Sequence, residues 1–264
     1  MTEISYREAI RRGLREALDR DERVFLMGED IGAYGGPYAV TKGLLVDYGP
    51  RRVKDTPISE SVIVGAGVGA ALTGLRPVVE IMTINFSLLA MDQIVNHAAK
   101  LRYMSGGQFS VPLIIRTVTG GGAQLAATHS QSFEGWYAAV PGIRVVVPST
   151  PYDALGLLRA AFQDKNPVLF VEHALLYNTR GEVPEEIYSI PFGKADVKQK
   201  GKDLTIVASS RMVQMALRAS VLLQERGVEA EVIDLRTLRP LDLVSVVDSV
   251  RKTGKCVVVE ETWR

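Results

Sequence analysis

Short runs rich in Val and Ile recur along the first two thirds of this chain with helical stretches between them, and that alternation constrains the fold more than any other feature. Residues 24–27, 52–54, 77–82, 112–117, 143–147 and 168–171 read as strands, and roughly 59–74, 87–104 and 152–163 as helices. Ahead of them, Ser5-Tyr-Arg-Glu8 has capping-box spacing and Ile10, Leu14, Ala17 and Leu18 follow at helical period, which predicts an opening helix over 5–19. Strands and helices in alternation specify an α/β protein: a mostly parallel sheet with helices on both faces.

The pattern weakens after Tyr177, where Asn-Thr-Arg-Gly, Val-Pro-Glu-Glu and Lys-Gln-Lys-Gly-Lys-Asp are polar and turn-forming. The expected organisation is a first domain over 1–180, a linker over 181–203 and a smaller α/β domain over 204–264. That second domain has strands at 204–208, 229–234 and 255–260, a helix to about 224, and a segment opened by Pro240 and Leu241. Three strands would leave an apolar sheet edge and a helix face uncovered, so the expectation is that a partner covers them or that the sequence is a truncated fragment.

Several functions are excluded at this level. With 47% hydrophobic and 23% charged residues the chain of 264 residues is globular, not disordered. Its 31 Lys and Arg against 30 Asp and Glu lack the basic excess of a dedicated nucleic-acid binder. The longest uncharged run, 61–75, is short for a membrane span and rich in glycine, so it reads as a buried helix and no membrane partner is expected. The start Met-Thr-Glu-Ile resembles no targeting segment, and a cytoplasmic protein is expected. Cys256, the lone cysteine, cannot form an internal disulfide.

Familiar cofactor motifs also fail. Gly65-Ala-Gly67-Val-Gly69 lies inside a helix, and the next acid, Glu80, comes too early for a dinucleotide fingerprint. Gly120-Gly-Gly122 lacks the Lys-Ser/Thr of a P-loop, no G-x-S-x-G elbow occurs, and His97, His129 and His173 show no metal-ligand spacing. His97 and His173 read as structural. His129 differs, because it follows a long loop leaving the C-terminal end of a parallel strand, the edge at which open α/β sheets bind ligands. Glu60 is placed comparably, after the turn Thr56-Pro-Ile-Ser59, although a first-turn acid also simply complements a helix dipole.

Taken in order, Asp55-Thr-Pro-Ile-Ser-Glu60, Met82-Thr-Ile-Asn-Phe86, Met91-Asp-Gln-Ile-Val-Asn96, Ala98 through Gly107, His129-Ser-Gln131, Trp136 through Gly142, Asp164-Lys-Asn-Pro167 and Asp234 through Pro240 resemble one family across essentially the whole chain. It is the beta subunit of the thiamine-diphosphate-dependent decarboxylating component of 2-oxo acid dehydrogenase complexes. The Asn-Phe, His-Ser-Gln and Trp-Tyr elements are most similar to pyruvate-using members; branched-chain and acetoin enzymes are close relatives. The resemblance implies a pyrimidine-type thiamine-diphosphate-binding domain followed by a transketolase C-terminal-like domain.

It also implies roles. Glu60 matches the glutamate that hydrogen-bonds the aminopyrimidine ring nitrogen and so promotes loss of the C2 proton; a carboxylate withdrawn from water shares a proton readily with such a nitrogen. Ile58 and Phe86 match residues packed on the cofactor, and His129 the histidine near C2 that binds the substrate carboxylate or passes a proton to the lipoyl sulfur. Leu113, Ala161, Phe162, Asp164 and Asn166 match positions where relatives hold a monovalent cation such as K+, mainly by backbone oxygens. Missing is the Gly-Asp-Gly…Asn-Asn motif that holds Mg2+ and the diphosphate. An alpha subunit is therefore expected to supply it in an α2β2 heterotetramer, with the Gly65/Gly69 helix and the 92–104 helix at the interface. Expected further partners are a small 2-oxo acid and the lipoyl domain and core of a dihydrolipoyl acyltransferase. A non-catalytic assembly module, and a fragment of a transketolase-like or deoxyxylulose-phosphate synthase enzyme, are the contrasting readings.

Overall fold

A computed structural model describes residues 1–122 and 124–262. Among these residues the order is β1 (Thr2–Ser5), α1 (Tyr6–Arg20), β2 (Val24–Gly28), α2 (Leu44–Tyr48), β3 (Val53–Asp55), α3 (Glu60–Leu72), β4 (Arg76–Ile81), α4 (Leu101–Met104), β5 (Ile114–Thr119), α5 (Glu134–Ala138), β6 (Arg144–Val146), α6 (Pro151–Ala161) and β7 (Val168–His173). There follow β8 (Arg180–Val183), β9 (Asp196–Gln199), β10 (Leu204–Ala208), α7 (Arg211–Gln224), β11 (Ala230–Asp234), β12 (Thr237–Arg239), α8 (Leu243–Thr253) and β13 (Cys256–Val259). The main sheet runs β12-β6-β7-β5-β4-β2-β3 and is parallel except where β12 meets β6. A smaller sheet runs β13-β10-β11-β9, and β1 pairs antiparallel with β8. No helix among the described residues is long and apolar enough to cross a membrane.

Alternation along the central strands builds two apolar layers, one on each face of the main sheet. Val78, Ile114, Val118, Val168 and Phe170 point toward α1 and α6, while Val79, Ile81, Ile115, Leu169 and Val171 point toward α3. Burial on both sides is why these strands carry near-continuous apolar runs. The opening helix forms with its capping box intact: Ser5 accepts from the Glu8 amide and the Glu8 carboxylate accepts from the Ser5 amide.

Two expectations need correction. The helix expected over 87–104 is broken into a 3-10 turn at Ile84–Ala90, a π-helical stretch at Gln93–Ala98 and α4. Two polar residues at its start are buried, where Ser87 Oγ donates to Ile84 O and pairs with the Tyr137 hydroxyl at 2.7 Å, and Asn85 is engaged by Thr83 and Gln131; such side-chain bonds compete with an α ladder. The 181–203 segment, expected as a linker, contains most of β8 and all of β9, which adds an antiparallel fourth strand to the smaller sheet. Lys198 anchors β9 through ion pairs that a reading of apolar periodicity cannot register. Moreover, β12 leaves its own domain to extend the main sheet beside β6.

Charge locks the domains together at that crossing. Arg236 Nε donates to Asp153 Oδ1 at 2.7 Å and its Nη2 to Asp196 Oδ2 at 3.0 Å, while Lys198 Nζ reaches Asp153 Oδ2 at 2.8 Å. Ser149 donates to Asp234. Burial opposes ionisation of Asp153, yet Lys198 and Arg236 outweigh it and hold that carboxyl below the ordinary range. For Asp234 the balance reverses, because burial and then the charge of Asp153 push its carboxyl up to about 6. A second buried network joins the central strands: Arg116 on β5 is paired with Glu80 on β4, and donates from Nε and Nη2 to Glu172 on β7 at 2.6 and 2.9 Å.

Both networks generate tests. Asp234 contributes stability that is fully present below its ordinary value of 3.8 and is lost as pH rises through about 6. Thermal unfolding should therefore show Asp234→Asn gaining on the parent protein between pH 4 and pH 7, whereas parallel profiles would remove the assignment. Arg116→Ala leaves two buried carboxylates facing each other and is expected to cost about 3–5 kcal/mol by urea unfolding.

Candidate active site

The C-terminal ends of the parallel strands deliver the candidate residues to one edge of the main sheet. Glu29 directly follows β2, and Glu60 opens α3 after the turn that ends β3. Both are buried, at 6% and 4% exposure. Burial, and then the neighbouring Glu60 charge, push the Glu29 carboxyl above the ordinary glutamate range. Glu29 Oε1 has no hydrogen-bond partner among the described residues. A buried acceptor left open in this way suits a ligand that brings its own donor. Ile58, in the turn before Glu60, is 81% exposed.

Phe86 and His129 come together from separate elements, the 3-10 turn after β4 and the β5–α5 loop. Their rings meet edge to face with centroids 5.0 Å apart. Asn85 Nδ2 donates to Gln131 Oε1 at 2.8 Å, with Thr83 Oγ1 donating to Asn85 Oδ1 at 2.7 Å, so the residues flanking Phe86 and His129 are bonded as well. The His129 ring is exposed, with Nδ1 3.0 Å from Thr128 Oγ1. α3 packs against the same 3-10 turn. An acidic pair, an aromatic face and an exposed imidazole thus share one edge of the sheet.

The five residues matched to a cation site gather differently. Ala161, Phe162, Asp164 and Asn166 form the turn between α6 and β7, and Leu113 O joins it by accepting from the Val168 amide at 2.9 Å. The Asp164 carboxylate is already used by Asn166 and Arg144, which leaves backbone oxygens as ligands. Of these, the oxygens of Phe162 and Asp164 accept from the Arg76 guanidinium. A K+ ion at this turn would share those two oxygens with Arg76, which the two lone pairs of a carbonyl allow. Among the described residues no group of three or more His, Cys, Asp or Glu side chains is placed to hold a metal ion.

Sequence reading missed Glu29 and the Asn85–Gln131 pair. Glu29 was within reach, since an acid one residue past a parallel strand stands where Glu60 does; the amide pair, 46 residues apart, had no signal along the chain. Glu60→Gln removes the neighbouring charge that helps to raise Glu29. Carboxyl NMR titration should then show the Glu29 midpoint falling toward the ordinary range, and an unmoved midpoint would separate the two groups.

Comparison with known proteins agrees with this architecture. The transketolase pyrimidine binding domain matches residues 2–180 and the transketolase C-terminal domain residues 193–264. The pyruvate dehydrogenase E1 component subunit beta of Rhizobium meliloti is 49% identical over the full chain, which spans 57% of that relative's length. Its counterpart from Rickettsia bellii is 48% identical, with 99% of this chain and 80% of the relative covered. The mitochondrial subunit beta-1 of Arabidopsis thaliana is 49% identical over 98% of this chain and 72% of its own. In fold, the chain is similar to a split-gene transketolase solved as an inactive beta4 tetramer, with a TM-score of 0.81 at 24% identity over 98% of this chain and 80% of that one. The conjunction of both domain matches with relatives near half identity places the chain plainly: it belongs to the family of pyruvate dehydrogenase E1 component beta subunits, built on the transketolase pyrimidine-binding and C-terminal folds.

Proposed function

We propose that this chain is the beta subunit of a pyruvate dehydrogenase E1 component, in which it takes part in the decarboxylation of pyruvate and the transfer of the acetyl group to a lipoyl group. The observation that carries the reading is the buried Glu29–Glu60 pair, with its open Oε1, at the sheet edge that also holds the Phe86–His129 ring pair. These residues fit the aminopyrimidine end of thiamine diphosphate: Glu60 to hold a proton at the ring nitrogen, Phe86 and Ile58 to cover the ring, and His129 to face the substrate. When bound, thiamine diphosphate supplies a thiazolium carbon able to stabilise the negative charge left by loss of carbon dioxide. The chain's own work is to hold the Glu60 carboxylate away from water as the hydrogen-bond partner of the ring nitrogen, and to present the His129 imidazole to an incoming carboxylate or sulfur.

Mg2+ and the diphosphate would be held by an alpha subunit in an α2β2 assembly, so that each site forms between chains. Two features of α3 support a partner surface. Val62 is 63% exposed, and a side chain at Gly69 would meet nothing within 4 Å, so neither residue serves packing within this chain. Lipoyl domains of an acyltransferase core are the proposed acyl acceptor. A K+ ion held by the backbone oxygens of the α6–β7 turn belongs to the same reading.

Ferricyanide-coupled decarboxylation by the chain co-expressed with its alpha partner, with thiamine diphosphate and Mg2+, tests this reading across pyruvate and branched 2-oxo acids. Turnover should require both chains and favour pyruvate. Glu60→Gln should lower kcat by about 10²–10⁴-fold, the range that a positioned proton-transfer group contributes. An assembled enzyme that loses less than tenfold would sink the role given to Glu60.

A further inference from the structure

The loop that carries His129 begins with Gly120-Gly-Gly122, a run that none of the chemistry above uses. Its reason lies beneath it. Gly120, at φ +100°, lies so close to His173 that a Cβ would stand 2.1 Å from the imidazole Nε2. At Gly122 a Cβ would stand 2.1 Å from Leu175 Cδ1 and 3.3 Å from Arg211 Nη1. The start of the loop is therefore laid directly onto the end of β7 and the first residue of α7.

His173 is fully buried, and its partners define its tautomer. Nδ1 accepts from the Leu175 amide at 3.1 Å, so the ring proton is on Nε2, which donates to Glu261 Oε2 at 2.7 Å. Glu261 follows β13 in the second domain and is also within 3.4 Å of Arg211 Nη1. The hydrogen bond from His173, with the charge of Arg211, holds the Glu261 carboxyl below the ordinary range. Both ends of the loop are tied at the same place, because Thr119 Oγ1, at the end of β5, donates to Glu134 Oε2 at the start of α5 at 2.7 Å.

We propose that His173 is a positioning residue: clamped by Glu261 of the second domain, it seats the glycine hinge of the 120–133 loop and so sets where His129 stands. The second domain thereby takes part in the active site without touching its ligands. This rests on the proposed function only for the consequence in turnover; the mechanical claim stands on the loop itself.

The test uses the co-expressed complex with Glu261→Ala, Glu261→Gln and His173→Asn, read by hydrogen exchange and by steady-state kinetics. Glu261 is only partly buried, so its variants fold even where His173→Asn fails to. Exchange at the amides of 120–133 should accelerate at least tenfold in Glu261→Ala, with α3 unchanged. Turnover should fall by about 10–10²-fold, as expected for a displaced catalytic group, while the cofactor concentration giving half-maximal activity stays within twofold. Glu261→Gln, which still accepts from Nε2, should restore both to within threefold. Exchange in the loop that is unchanged in Glu261→Ala, or accelerated equally in α3, overturns the proposal. If the parent complex turns over no 2-oxo acid, the functional reading fails, and the exchange comparison still decides the clamp.

Discussion

A guanidinium shut off from water fixes the centre of this molecule. Arg116 is 2% exposed, and its charge is tolerable only because Glu80 and Glu172 flank it from the neighbouring strands. Glu80 lies directly opposite Arg116 in the β4–β5 register, and Glu172 lies two residues further along β7 than its register partner Phe170. A shift of β4 or β7 by one residue would turn a carboxylate to the other face and strand the cation. Tyr177 adds a hydrogen bond to Glu172 at 2.7 Å, binding the chain that leaves β7 to the same point. Register at the C-terminal ends of three strands is therefore set by electrostatics as well as by apolar packing, and those ends launch the Phe86 turn, the His129 loop and the His173 seat.

How much of this could be read beforehand depended on whether the cause lay near in sequence. The central strands were legible because burial on both faces leaves a continuous apolar signature, and α1 was legible because its cap and its stripe lie within fifteen residues. The break in the 87–104 segment was not. Its residues have good helical spacing, and the competing partners of Asn85 and Ser87 are Gln131 and Tyr137, far along the chain. β9 and β12 were hidden for the same reason, since one is held by buried ion pairs and the other by an antiparallel edge in a sheet belonging to the preceding domain.

The candidate site divides along the same line. Glu60 and His129 could be singled out by position after parallel strands, and Phe86 by resemblance alone, since an aromatic in an apolar stretch otherwise reads as core. What the sequence could not supply was the pairing: Glu29 against Glu60, Asn85 with Gln131, and His173 with Glu261 across 88 positions. His173 read as a satisfied structural histidine, and its hydrogen bonds are indeed complete; what it touches gives that satisfaction a consequence.

The two domains are thus joined twice, by unlike means. At β12 the junction is a buried ionic cluster in which Lys198 and Arg236 pair with Asp153, with Asp234 packed beside them. At Glu261 it is one imidazole–carboxylate hydrogen bond with a guanidinium beside it. The first specifies how the domains meet, because a mismatched seating would leave buried charges of both signs without partners. The second concerns a loop already tied at Thr119 and Glu134, and it determines how that loop lies on the sheet edge. A rigid junction is what allows a single hydrogen bond to have that effect: were the domains free to rock, Glu261 could not hold the ring under Gly120 in one place.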